Sequence, residues 1–134
     1  MTDRQGKPRA VLTSAANEHD ITFILPLVYL MLPGVGGKRG RLRQYPKTVS
    51  ADCGYTSRDV LSIFQHTHID AIIPQQGQPQ VKGWGSLRWP VERTIRWLKQ
   101  FRRMGVRRER KPANYDASVT VAMSLICFRK LAAV

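Results

Sequence analysis

The chain has few acidic residues, few cysteines and no long apolar run. Asp plus Glu number 9 against 22 Lys plus Arg, a formal charge of +13 and a pI of about 10.7. A balance this basic points to a polyanionic partner. The cysteines are Cys53 and Cys127 alone, neither in a Cys-x-x-Cys pair. That excludes zinc ribbons and a disulfide framework and predicts two reduced thiols. The longest apolar stretch, Ile21–Leu32, is interrupted by Pro26 and falls short of the ~20 residues a membrane span needs. In residues 1–20, Arg4, Lys7 and Arg9 are balanced by Asp3, Glu18 and Asp20, so no positive signal-peptide start is present. No membrane partner is expected, and the location expected is the cytosol.

What is present is 43% hydrophobic residues, enough for a packed core and too many for a disordered tail. The positive charge is local. Residues 88–111 carry ten Lys or Arg against Glu92 and Glu109, a net of +8. Residues 51–87 net −1, with Arg58 and Lys82 against Asp52, Asp59 and Asp70. A concentrated basic segment reads as a docking surface.

Short strands alternate with helices. Asp3, Gly6 and Pro8 are turn residues, followed by a predicted strand over 9–14. A helix is expected from Asp20 or Thr22 to about Leu32, with Pro26 in its first turn. A strand over 48–51 ends at Asp52. A helix capped by Thr56 or Ser57 places Val60, Leu61, Ile63 and Phe64 on one face. A buried strand over 69–73 is stopped by Pro74. A helix starting at Pro90 runs to about Met104. A last helix, 115–131, carries Val119, Ala122 and Ile126 on one face. Segments 33–47 and 74–89 read as basic loops. The alternation predicts a single α/β layered domain over 1–134.

Two motifs with a chemical look are weak. His66-x-His68 has no further ligand nearby. Gly34, Gly36, Gly37, Lys38 and Gly40 suggest a phosphate loop, but Arg39 stands where Ser or Thr must follow the lysine. On the helix after Pro90, Val91, Thr94, Ile95, Leu98 and Phe101 share the predicted core arc, while Glu92, Arg96, Lys99 and Arg103 share the opposite one. Asp52 sits at a strand's carboxyl end, where open α/β sheets place their sites.

These residues resemble a family. Asp52-Cys53-Gly54-Tyr55-x-Ser57 is similar to the A-D-(R/K)-G-Y-D-S segment of bacterial insertion-sequence transposases of the DDE class, in the group called insertion sequence family five. Arg88-Trp89-Pro90-Val91-Glu92-Arg93-Thr94, followed by Trp97, resembles that group's R-W-x-V-E-R-T-x-x-W. Asp3-x-x-Gly6-x-Pro8 and Ala15-Ala16-Asn17-x-His19-Asp20 resemble its hairpin and the A-N-x-H-D after it. Cys53 stands where the family carries Arg or Lys.

The resemblance implies an RNase H-like fold and metal-dependent cleavage and joining of DNA strands. It implies catalytic, Mg²⁺-binding carboxylates at Asp52 and Glu92. The family's first Asp has no match, so the resemblance implies the C-terminal part of a catalytic domain without its first catalytic strand. Such a chain is expected to be inactive alone. DNA contacts are expected from Arg93, Arg96, Lys99, Arg102 and Arg103, and from Lys38 and Arg39. The expected partners are DNA at transposon ends and targets, an upstream-frame transposase product, and further copies of the chain. The alternative is a basic DNA-binding module without chemistry of its own that binds or modulates a full-length transposase.

Overall fold

A computed structural model of the chain describes residues 1–15, 17–30, 44–77, 79, 82–106 and 109–132. They fall into two compact units, one of residues 14–88, the other of 1–13 with 89–134.

In the 14–88 unit a 3₁₀ turn at Asp20–Phe23 leads into helix α1, Ile24–Tyr29. Pro26 lies in the first turn of α1, where its missing N–H costs little. Neither Asp20 nor Thr22 caps by its side chain. The Thr22 hydroxyl instead donates to the His19 carbonyl, at 2.7 Å. Strand β1, Thr48–Ser50, and strand β2, Asp70–Ile72, pair in parallel, Val49 opposite Ala71. Parallel neighbours need a crossover, and helix α2, Arg58–His66, supplies it. Val60 and Phe64 of α2 are buried with Val28, Val49, Ile69 and Ile73. Ile63, expected on the same face, is 38% exposed.

The other unit starts with a hairpin-like turn. The Asp3 carboxylate accepts the Gln5 and Lys7 amides, both at 2.9 Å. Gly6 takes the positive φ of 76° that the turn requires. Thr2 bridges Pro8, and the Met1 carbonyl accepts the Arg9 amide at 3.0 Å. The predicted strand over 9–14 does not form; the pairing ends at Ala10, whose carbonyl takes the Met1 amino group at 2.7 Å.

Helix α3 spans Trp84–Lys99, six residues earlier than its proline suggested. The Gly83 carbonyl accepts the Ser86 amide at 3.0 Å and so closes its first turn. Pro90 therefore lies inside the helix, and the predicted loop over 74–89 gives way to helix at Trp84. The helix also stops early. Phe101 is extended, with φ −76° and ψ 123°, and helix α4, Arg102–Gly105, is separate. The predicted core arc is rotated as well. Pro90 and Thr94 are buried, whereas Val91 and Ile95 are 40% and 46% exposed.

Helix α5, Pro112–Leu131, opens with proline at its first turn and buries Val119, Ala122 and Ile126 as expected. The hydroxyls of Ser118, Thr120 and Ser124 donate to the carbonyls four residues earlier, each at 2.9 Å. This satisfies polar groups on an otherwise apolar helix.

Phe64 has 0% exposure. Phe64→Ala should therefore cost roughly 3–5 kcal/mol in urea-unfolding free energy, and Ile63→Ala well under half of that; equal losses would mean that α2 packs through another face.

Candidate active-site and nucleic-acid residues

Asp52 follows β1 by two residues. The Ala51 amide, donating to the Ile72 carbonyl at 3.2 Å, extends the parallel ladder up to it. Asp52 then caps a 3₁₀ turn, Cys53–Tyr55, its Oδ1 accepting the Cys53 amide at 2.8 Å. The local reason is plain. A short acidic side chain before Gly54 can turn back onto the backbone that follows it. The carboxylate remains half exposed, with Oδ2 3.7 Å from an Arg88 guanidinium nitrogen. An exposed pair of this kind is worth ~0–1 kcal/mol, so it costs little to exchange for another charged partner.

Two neighbours of Asp52 escaped the sequence reading. Arg88 counted toward the basic segment but was not singled out. Asp20 entered as a possible helix cap and as part of a motif, not as a neighbour of the Tyr55 turn. The turn carrying Asp20 packs on the turn carrying Tyr55. Burial, then Asp20, then Asp52 push the Tyr55 phenol above its ordinary pKa. A neutral phenol near two carboxylates is the electrostatic consequence. Folded protein then holds the Tyr55 proton more tightly than unfolded protein does. Its contribution to stability is full below about pH 10 and is lost as pH rises through the folded value. Asp52→Asn should lower the Tyr55 pKa, read from its ring ¹³C shift, and adding Asp20→Asn should lower it further. Burial keeps it above the ordinary value; no shift in the double variant would remove both carboxylates from the phenol's surroundings.

In the other unit, Glu92, Arg96 and Lys99 are exposed on α3. Arg102 and Arg103 are exposed on α4, so the break at Phe101 takes Arg103 off the α3 stripe. Arg103 Nε lies 3.9 Å from Glu109 Oε1, with its side chain 75% exposed.

Arg93 is placed differently. Its Cζ stands 4.0 Å from the centre of the Trp89 ring and 5.0 Å from that of Trp97. Its Nη2 donates to the Gln5 carbonyl. Its Nε is buried and has no hydrogen-bond partner among the described residues. Lys130 Nζ lies 4.4 Å from the Trp97 ring centre. Lys38 and Arg39 lie outside the described residues.

Asp52 and Glu92 offer the hard oxygens that Mg²⁺ prefers. Yet the described residues contain no group of three or more His, Cys, Asp or Glu side chains able to hold a metal ion. Those present do not form a complete metal cage. Among the described residues, no helix is long and apolar enough to cross a membrane.

Residues 1–127 match the family profile described as the transposase DDE domain. A Burkholderia cepacia protein assigned as the transposase of insertion sequence element IS402 is 36% identical over 131 residues. That alignment covers 98% of this chain and 62% of the relative, so the chain spans about three-fifths of the relative's length. No solved structure gives a significant match. With strand-end Asp52, a helix bearing Glu92 among arginines, and residues 1–127 of the chain matched by the family profile, the chain belongs to the DDE transposase domain family.

Proposed function

We propose that the chain is the C-terminal part of an RNase H-like transposase catalytic domain of the insertion sequence family five type. Asp52 and Glu92 are two of its three catalytic carboxylates. The observation that carries this reading is Asp52, an exposed carboxylate at the carboxyl end of a parallel strand. Open α/β sheets place their sites there. The DNA substrates are transposon ends and target DNA, and the chain acts on them in the cytoplasm, at the nucleoid. Mg²⁺ is the cofactor of the complete site. The third carboxylate comes from protein outside this chain, such as an upstream-frame product or a longer chain. Further copies of the chain are also candidate partners.

DNA is held through its phosphates by Arg96, Lys99, Arg102 and Arg103, together with Lys38 and Arg39. Such contacts grip without reading sequence. Binding should be tight at low salt and fall steeply as salt is added. Replacing Arg96, Lys99 and Arg103 together with Ala should reduce the slope of log K against log[salt] by roughly three. An unchanged slope, measured by fluorescence anisotropy on a labelled duplex, would move the DNA surface to the 34–43 segment.

A second reading, a DNA-binding module without chemistry of its own, draws support from the ten Lys or Arg of residues 88–111. Nicking assays separate the two. The chain alone should not cut DNA with Mg²⁺ or Mn²⁺, because two clustered metal ions need more oxygens than two carboxylates give. A fused chain carrying the upstream strand and its Asp should cut. Asp52→Ala or Glu92→Ala in that fusion should abolish cutting and leave DNA affinity nearly intact. A fusion that binds DNA but never cuts would favour the module, and robust cutting by the chain alone would overturn the carboxylate assignment.

A further inference from the structure

We infer that Arg93 is a positioning residue, an internal clamp that sets the rotation of α3, and not a DNA contact. The inference rests on the reading of α3 as a DNA-facing helix, since the clamp's use is to aim that face. Four side chains alternate along the clamp: Trp89, Arg93, Trp97 and Lys130. Arg93 lies within 4.0 and 5.0 Å of the two indole centres, and Lys130 within 4.4 Å of the second. A guanidinium is weakly hydrated and planar, so stacking on indoles suits it better than it suits an ammonium.

The hairpin holds the other edge of the fork. Adjacent carbonyls, Gln5 and Gly6, accept from the adjacent side chains Arg93 and Thr94, the latter at 2.6 Å. Two bonds from consecutive helical residues fix a helix's rotation as one bond cannot. Taking Arg93 as zero, at about 100° per residue, Thr94 lies about 100° to one side. Arg96, Glu92 and Lys99 lie about 60–120° to the other. Anchoring Arg93 and Thr94 therefore turns Glu92, Arg96 and Lys99 outward together.

Gly6 is fitted to the clamp. A Cβ there would stand 2.9 Å from Arg93 Nη2 and 3.1 Å from the Pro90 carbonyl oxygen, and its φ of +76° suits glycine. The buried Arg93 Nε, with no hydrogen-bond partner among the described residues, marks a guanidinium held by its faces and its outer edge. A phosphate contact through Nη2 would require it to give up the Gln5 carbonyl.

The test uses the whole chain, with Arg93→Met, Arg93→Lys and Gly6→Ala compared under conditions where far-ultraviolet circular dichroism reports folded protein. Near-ultraviolet dichroism reads the Trp89 and Trp97 environment, and anisotropy on duplex DNA reads the salt slope. The clamp predicts that all three variants lose the native tryptophan dichroism. It also predicts that Gly6→Ala and Arg93→Met change the salt slope alike, because each frees α3 to turn its basic face, and that the two combined are no worse than either alone. A slope lower by about one in Arg93→Met with the wild-type slope kept in Gly6→Ala, the signature of one lost phosphate contact, would overturn it. So would native dichroism in Arg93→Met. If Arg93→Met does not fold, Arg93→Lys decides, because a lysine serves a phosphate but cannot bridge both rings and a carbonyl; native dichroism there overturns the clamp. Arg96→Ala is the control. If it leaves the slope unchanged, the DNA-facing reading of α3 fails, while the dichroism still judges the clamp.

Discussion

Two neighbouring backbone carbonyls, those of Gln5 and Gly6, hold the first ten residues to α3, and much of the 1–13 and 89–134 unit depends on that pairing. Both bonds join residues 88 positions apart. Buried carbonyls must find donors, and a tight turn that exposes two in succession selects a helix bearing two donors in succession. Arg93-Thr94 meets that need. The Thr94 hydroxyl, also 2.9 Å from the Pro90 carbonyl, makes a polar side chain the most buried of the helix beside Pro90. The apolar Val91 and Ile95 are left partly outside for the same reason. The Cys127 thiol, 3.6 Å from the Pro8 carbonyl, links α5 to the same hairpin.

The 14–88 unit follows a different constraint. A parallel strand pair must be covered by its crossover helix, and Phe64 and Val60 make α2 that cover. Once β1 and β2 are in register, the chain leaves β1 at a known height, and Asp52 arrives at the strand end with its backbone turning away. The carboxylate is then shared among weak partners: one amide, one arginine and the field of a phenol.

Much of this was legible beforehand, and the reasons differ by element. The α5 face read correctly because Val119, Ala122 and Ile126 follow helical spacing, and the hydroxyls of Ser118, Thr120 and Ser124 bond within the helix. Both strands read correctly because short β-branched runs end in Asp or Pro. Pro90 misled the reading of α3, since proline is commonest at a first turn and here lies in an interior one. The expected core arc held at Thr94 but not at Val91 and Ile95, for a related reason. Hydrophobic spacing assumes that apolar contacts choose the buried face, whereas here two hydrogen bonds to the hairpin chose it. Asp20, Arg88 and Tyr55 could not be grouped from spacing at all, because they meet only through the packing of two short turns and the start of a helix.

Composition and motif order by themselves determined that the chain is basic and α/β, and carried the resemblance to the DDE transposase family to which it belongs. These properties belong to residue type and sequence spacing, which folding leaves unchanged. Tertiary structure alone decided which cations remain exposed. Arg93, Arg96 and Lys99 are equivalent in any count of charge. Of the three, only Arg93 lies within reach of two indole faces and a hairpin carbonyl, so it is half-buried against them while Arg96 and Lys99 stay exposed. A charge's partner is set by distance, and the distances that matter here join residues far apart in the chain.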